Sequence, residues 1–145
     1  VHQGDGTANI LSNDYDILTC SIHCADNYPA KKARSDLDFP ILSGADDDDY
    51  LSVLGCCLSQ IDRKNFSPDF VLYDAAVDVH SNDKLGLLNM TSDGIYERDR
   101  LVLSHFKTNQ VPIAITMGGG YGETHEELAQ RHSIVFQSVK SVFAA

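Results

Sequence analysis

An α/β fold built on a parallel sheet is what this sequence predicts, and three observations lead there. Short apolar runs, "DILTCSI" (16–22), "DFVLYDA" (69–75) and "VPIAIT" (111–116), have the length and composition of buried strands. Between and after them lie stretches whose apolar residues recur three and four apart, the period of an amphipathic helix. Alternation of the two implies a parallel sheet covered by helices, joined by right-handed crossovers. The third observation is positional. Polar and unusual residues gather just beyond the strand-like runs, where open parallel sheets hold their ligands.

The first strand ends in Ser21 and His23. The segment "CADNYPAKKARSDLDFPILSGA" follows and reads as one loop of roughly twenty residues, longer than a plain connection needs. Asp46 to Asp49 then open a helix, with acids at the positive end of its dipole. Leu51, Leu54, Leu58 and Ile61 form its inner face.

After the second strand, "AVDVHSND" places Asp78, His80 and Asp83 at the sheet edge. Thr91 or Ser92 caps the next helix, whose inner face is Ile95, Val102 and Phe106. Beyond the third strand come Gly118, Gly119, Gly120 and Tyr121. A capping box, Thr124 with Glu127, opens the last helix, which turns Leu128, Val135, Val139 and Val142 inward.

The 145 residues suffice for one domain, and 43% hydrophobic with 22% charged residues is the balance of a soluble globular protein. A net charge of −10 repels phosphate backbones, so no direct nucleic-acid partner is expected. The basic cluster Lys31, Lys32 and Arg34 reads as a solvated loop. No apolar stretch has membrane-spanning length and no secretory signal pattern is visible. The expectation is a protein without a membrane partner, intracellular, nuclear or cytoplasmic. Cys20, Cys24, Cys56 and Cys57 lack the paired spacing of a structural zinc site and read as reduced, mostly buried thiols. The opening residue is Val1 rather than methionine, which reads as a processed, excised or incomplete chain.

The glycine run does not fit a phosphate cradle. A P-loop requires a Gly-Lys pair, which the chain lacks, and a dinucleotide fingerprint starting at Gly120 would need glycine where His125 stands. Metal chemistry fits better. Asp78, His80 and His2 are a carboxylate and two imidazoles, donors suited to zinc or iron(II). Among the remaining histidines, His23, like His80 itself, reads as a supporting or structural group, and His125 and His132 as helix surface.

Five blocks then stand in a familiar order: "VHQGDG", "NYPAKKARSDLD", "SGADDDDYL", "DAAVDVHSNDKLG" and "GGGYG". Together they resemble the histone deacetylase family over essentially the whole chain, and they are most similar to its class IV branch and bacterial relatives. The resemblance implies a three-layer α/β/α, arginase/deacetylase-like fold with a mostly parallel sheet. Residues 1–145 would be the carboxyl-terminal part of a single such domain.

It also implies roles. His2 corresponds to a metal-binding histidine and Asp78 to a metal-binding carboxylate. Tyr121 corresponds to the tyrosine that hydrogen-bonds the substrate carbonyl. Tyr28 stands where an aromatic wall of the acyl-lysine channel is found, and Gly118, Gly119 and Gly120 match the loop lining that channel. Ser21 matches a residue near a structural monovalent cation such as K+. The implied reaction is hydrolysis of the acetyl-lysine amide in histones or other proteins, with Zn2+ as the metal and Fe2+ as its alternative.

Two family features are missing: the metal aspartate two positions before His2, and a His-His pair further upstream. The chain alone is therefore expected to have no substantial deacetylase activity. Two other readings accompany this one. The chain could be a non-catalytic, deacetylase-like interaction module, or its parent could act on fatty-acyl lysine, polyamines or small amides.

Overall fold

The computed structural model describes residues 1–64 and 66–144. Eight elements follow in order: α1 (Asp5–Leu11), β1 (Cys20–Cys24), β2 (Leu37–Ile41), α2 (Asp47–Arg63), β3 (Val71–Asp74), α3 (Ser92–Thr108), β4 (Ile113–Thr116) and α4 (His125–Phe143). The α/β class with parallel strands is borne out: β1 pairs in parallel with β2, and β3 with β4.

The first half differs most from the sequence reading. Strand β1 begins at Cys20 rather than residue 16. Asp14 accounts for the delay, because its side chain accepts from the Asp16 N–H at 3.0 Å and holds residues 14–17 in a turn. The segment read as one loop contains β2, in register from Cys20–Leu37 to Cys24–Ile41. Pro40 hides this strand in the sequence, yet proline is tolerated on an edge. Thr19 and Asp36 lock the register, with the Thr19 N–H and hydroxyl both donating to Asp36 Oδ2 at 2.8 and 2.7 Å. These bonds, the Thr19 N–H first, hold the Asp36 carboxyl below the usual range. The short helix α1 has only Ala8 buried, so it left no apolar stripe to read.

The starts of α2 and α3 behave as the sequence requires, whereas at α4 only half of the expected capping box forms. Thr124 accepts from the Glu127 N–H at 3.1 Å, but the Glu127 carboxylate takes the Glu123 N–H rather than that of Thr124. Asp46 caps α2 by accepting from the Asp48 and Asp49 N–H groups at 3.1 and 3.2 Å. Thr91 caps α3, and Asp47 takes both its N–H and its hydroxyl, at 2.8 and 2.6 Å, tying the two helix starts together. Ile95, Val102 and Phe106 are buried as predicted. Helix α2 turns Tyr50, Leu54 and Cys57 inward, with Leu51, Leu58 and Ile61 half-buried beside them. Helix α4 buries Val135 with Arg131, Ile134 and Ser138, while Leu128, Val139 and Val142 stay half-buried. Two thiols, Cys20 and Cys56, are exposed rather than buried, and Cys20 Sγ lies 3.2 Å from the buried Cys57 Sγ. The Cys57 contact pushes the Cys20 thiol up.

The core spans both sheets. Leu54, Val102 and Phe106 pack with Ile22 of β1, Val71 and Tyr73 of β3, and Ile113 of β4. A second cluster joins Val1, Cys24 and Ile41 to Val79, Leu88, Met90, Ile95 and Ile134. Each fully buried side chain of this size contributes about 1.5–3 kcal/mol. Helices cover the Val71 and Tyr73 side of β3. Its other side carries Leu72, 73% exposed, so among the described residues only one face of this sheet is covered. Among the same residues, no helix is long and apolar enough to cross a membrane.

Candidate functional site

The site is assembled from the segment before α1 and the two loops that leave β3 and β4. The loop after β3 is pinned by its own apolar residues. Ala75, Val77 and Val79 are each about 2% exposed, so Asp78 stands between two core anchors. Helix α3 fixes the approach: Arg98 Nη1 donates to the Ala76 carbonyl at 2.6 Å, and the Tyr73 hydroxyl donates to Asp99 Oδ1 at 2.5 Å. The bridge between His80 and Met90 closes the far end of the loop.

Asp78 divides its two oxygens. Oδ1 accepts from the Val1 nitrogen, a close contact. Oδ2 faces His2 Nε2 at 4.0 Å. The other ring nitrogen, Nδ1, lies 3.0 Å from the Tyr28 carbonyl. That carbonyl can only accept, so in the neutral imidazole Nδ1 carries the proton and Nε2 presents a lone pair. Two electron-pair donors therefore face each other at 4.0 Å. Two zinc bonds of about 2.0–2.2 Å at a tetrahedral angle span about 3.4 Å, so a shift of roughly half an ångström brings both onto one ion. The residues fit a divalent metal as two of its ligands. Among the described residues no group of three such donors converges.

Two neighbours hold His2 in place. Its successor Gln3 is 3% exposed; its Nε2 donates to Asp38 Oδ1 at 2.8 Å, and its Oε1 accepts from the Ala33 N–H at 2.7 Å. Cys24 at the end of β1 donates its N–H to the Val1 carbonyl at 2.9 Å.

The glycines answer to a steric demand of the neighbouring loop. A Cβ on Gly119 would lie 2.5 Å from Asp78 Oδ2. Gly118 and Gly120 are equally closed, the first by Asp74 and Ala76, the second by Val77 and Leu128. Side chains are absent here because the β4 loop lies directly on the β3 loop. The Val77 N–H donates to the Gly119 carbonyl at 2.9 Å across this seam. Asp74 also lies at the seam. Burial, and then the charge of Asp78, push its carboxyl up.

Tyr121 is tied to the same seam by its backbone. Its N–H donates to Asp83 Oδ2 at 2.6 Å, and its carbonyl accepts from Arg131 Nη1 at 3.2 Å. The residue as a whole is 56% exposed. Tyr28 is exposed as well, and its carbonyl rather than its ring touches His2. The Ser21 hydroxyl lies 3.0 Å from His23 Nδ1.

His23 and His80 are buried, and burial pushes both imidazoles below their ordinary value. His80 accepts from the Asn82 N–H at Nδ1 and meets Ser92 Oγ through Nε2, so its ring is occupied structurally. His125 is surface as expected. His132 is half-buried, with Nε2 3.5 Å from where a Gly120 Cβ would be. Lys32, read as solvated, instead staples its loop by donating to the Asn27 and Pro29 carbonyls at 2.5 and 2.6 Å.

Sequence reasoning assigned no role to Arg131 or Asn27. Asn27 bridges the Tyr28 loop to the Leu85 carbonyl and the Leu87 N–H, at 2.7 and 3.0 Å. The spacing of Glu127 and Arg131 was a legible helical pair, but the carbonyls that Arg131 reaches lie outside its helix.

Comparison with known proteins identifies the family and the fold. The histone deacetylase domain profile matches residues 1–138. An uncharacterized protein of Picosynechococcus sp. is 45% identical over 99% of this chain and 47% of its own length. Histone deacetylase 2 of Arabidopsis thaliana is 32% identical over 83% of this chain and 32% of its own. The chain thus spans about half or less of these relatives. The acetylpolyamine aminohydrolase of Burkholderia pseudomallei superposes with a TM-score of 0.80 at 22% identity, over 97% of this chain and 43% of that one. The histone deacetylase Clr3 superposes at 0.74 and 19%, over 98% and 26%. The arginase/deacetylase fold is thereby established, and the chain belongs to the histone deacetylase domain family.

Proposed function

We propose that this chain supplies part of the active site of a zinc-dependent deacylase, of class IV type, that hydrolyses acetyl-lysine in proteins. His2 through Nε2 and Asp78 through Oδ2 would hold the metal. The observation that carries this reading is their facing arrangement, with the imidazole proton held on the far nitrogen by the Tyr28 carbonyl. A divalent ion at such a site supplies Lewis-acid polarisation of the acyl carbonyl and a more acidic water.

The chain's own residues do the rest that can be assigned. The Asp83 and Arg131 bonds hold the Tyr121 backbone on the seam beside Asp78. From there its phenol would donate to the oxyanion as the amide carbonyl is attacked, an interaction worth about 3 kcal/mol. The exposed Tyr28 ring would flank the acyl-lysine chain. Ser21, with the nearby β1 terminus, would belong to a monovalent-cation site. Catalytic zinc usually has three protein ligands and a water, so a further ligand and a general base would come from outside these residues.

The test is metal analysis with an acetyl-lysine peptide assay on the full-length protein. About one zinc per chain is expected, lost in Asp78→Asn, with turnover about 100-fold lower in Tyr121→Phe. A Tyr121→Phe variant at full rate would remove the oxyanion role.

A further inference from the structure

We propose that Arg131 is a positioning residue for Tyr121: with Asp83 it grips the Tyr121 peptide from both sides and so sets where the phenol stands. The inference rests on the oxyanion role proposed for Tyr121.

Tyr121 is more than half exposed, so packing alone does not fix its side chain. Its backbone is fixed instead. Asp83 Oδ2 takes the N–H, and Asp83 is itself anchored through Oδ1 by the Leu85 and Gly86 N–H groups at 2.9 and 2.8 Å. Arg131 takes the carbonyl. Its guanidinium is 4% exposed, an unusual place for a charge.

The two terminal nitrogens of that guanidinium reach carbonyls in two different segments. Nη1 reaches the Tyr121 carbonyl in the β4 loop; Nη2 reaches the Asn82 carbonyl in the β3 loop at 3.5 Å. The Glu127 carboxylate, one turn earlier on α4, meets Nη2 closely and aims the fork. The Glu123 N–H, and then Arg131, hold the Glu127 carboxyl below the usual range.

A rigid planar fork suits this bridge, because it spans two carbonyls at fixed separation. Lysine offers one mobile ammonium and could keep one carbonyl. Attachment of α4 does not depend on this bridge alone, since Ile134 and Val135 are buried on the same helix. Arg131 therefore joins the loop bearing Asp78 to the loop bearing Tyr121. Loss of the bridge would let the phenol wander while leaving His2 and Asp78 as they are. A misplacement of about 1 Å in such a group costs roughly 100-fold in rate.

The experiment compares Arg131→Gln, Arg131→Lys and Tyr121→Phe in the full-length, zinc-loaded protein. Turnover and KM on an acetyl-lysine peptide, zinc content, thermal midpoint and hydrogen exchange at the Tyr121 amide are read together. Arg131→Gln should lower kcat about 10- to 100-fold with KM within about twofold and zinc retained. Exchange at the Tyr121 amide should quicken about tenfold, and Arg131→Lys should recover part of both effects.

A glutamine variant within twofold of wild-type kcat, beside a strongly impaired Tyr121→Phe, would overturn the proposal. So would a kcat loss that merely follows lost zinc or a collapsed thermal midpoint. Should the glutamine variant fail to fold, a lysine variant with wild-type kcat and wild-type amide exchange would overturn it equally. An unimpaired Tyr121→Phe defeats the oxyanion reading instead, and the exchange measurement then decides the backbone grip on its own.

Discussion

Asp83 and Tyr121 stand 38 positions apart in the chain, yet the Tyr121 N–H donates to Asp83 Oδ2 at 2.6 Å. The same carboxylate caps the Leu85 and Gly86 N–H groups through its other oxygen. One buried side chain thus closes its own loop and holds the neighbouring one. Asp83→Ala should cost about 2–4 kcal/mol in urea unfolding, since three donors lose a charged acceptor in a poorly hydrated place. A loss under about 0.5 kcal/mol would mean that water replaces the carboxylate freely.

Gly119 bears directly on the proposed metal carboxylate. In Gly119→Ala the new methyl would sit 2.5 Å from Asp78 Oδ2, and one of the two must move. Zinc affinity, measured by chelator competition, should fall at least tenfold, the scale seen when groups that orient a ligand are disturbed. Unchanged affinity would show that Asp78 is not held against this loop.

The Arg98–Asp99 pair on α3 is buried, with Arg98 Nη2 2.8 Å from Asp99 Oδ1. Among the described residues, Asp99 Oδ2 has no hydrogen-bond partner. Arg98→Met leaves this carboxylate uncompensated and frees the Ala76 carbonyl, so a loss of about 3–5 kcal/mol is expected. Adding Asp99→Leu should restore part of it, because the stranded charge is gone. If the double variant is as unstable as the two single losses summed, the pair is not coupled.

His23 makes stability depend on pH. Burial pushes its imidazole below the ordinary value; Asp38 opposes that shift, and Lys32 reinforces it. The unfolded chain therefore binds a proton near pH 6.5 that the folded chain refuses until lower pH. Stability is full above that point and declines as pH falls below it. Thermal midpoints between pH 7.5 and 5 should show the decline, and His23→Gln should flatten it. The His80 ring, also depressed by burial, leaves a residual slope. A pH-independent midpoint would contradict both assignments.

Local and periodic information sufficed for much of this protein. The Asp46 and Thr91 caps, the inner face of α3, strands β3 and β4, and the gathering of Asp78 and Tyr121 at one sheet edge follow from spacing and residue type. These are short-range effects, in which backbone donors, helix period and strand polarity act within a few residues. The family blocks could be read for the same reason, since they are contiguous.

What the chain does not display locally was settled by contacts between distant segments. Strand β2 exists because β1 offers it an edge, against the signal of Pro40. The proton position on His2 is set by a carbonyl 26 residues away, and the absence of side chains at Gly118–Gly120 by a loop some 40 residues back. Arg131 reads as an ordinary helical charge until the fold brings two carbonyls to it. Hydrogen bonds and steric exclusion between loops carry no periodicity, so only the folded arrangement could reveal them.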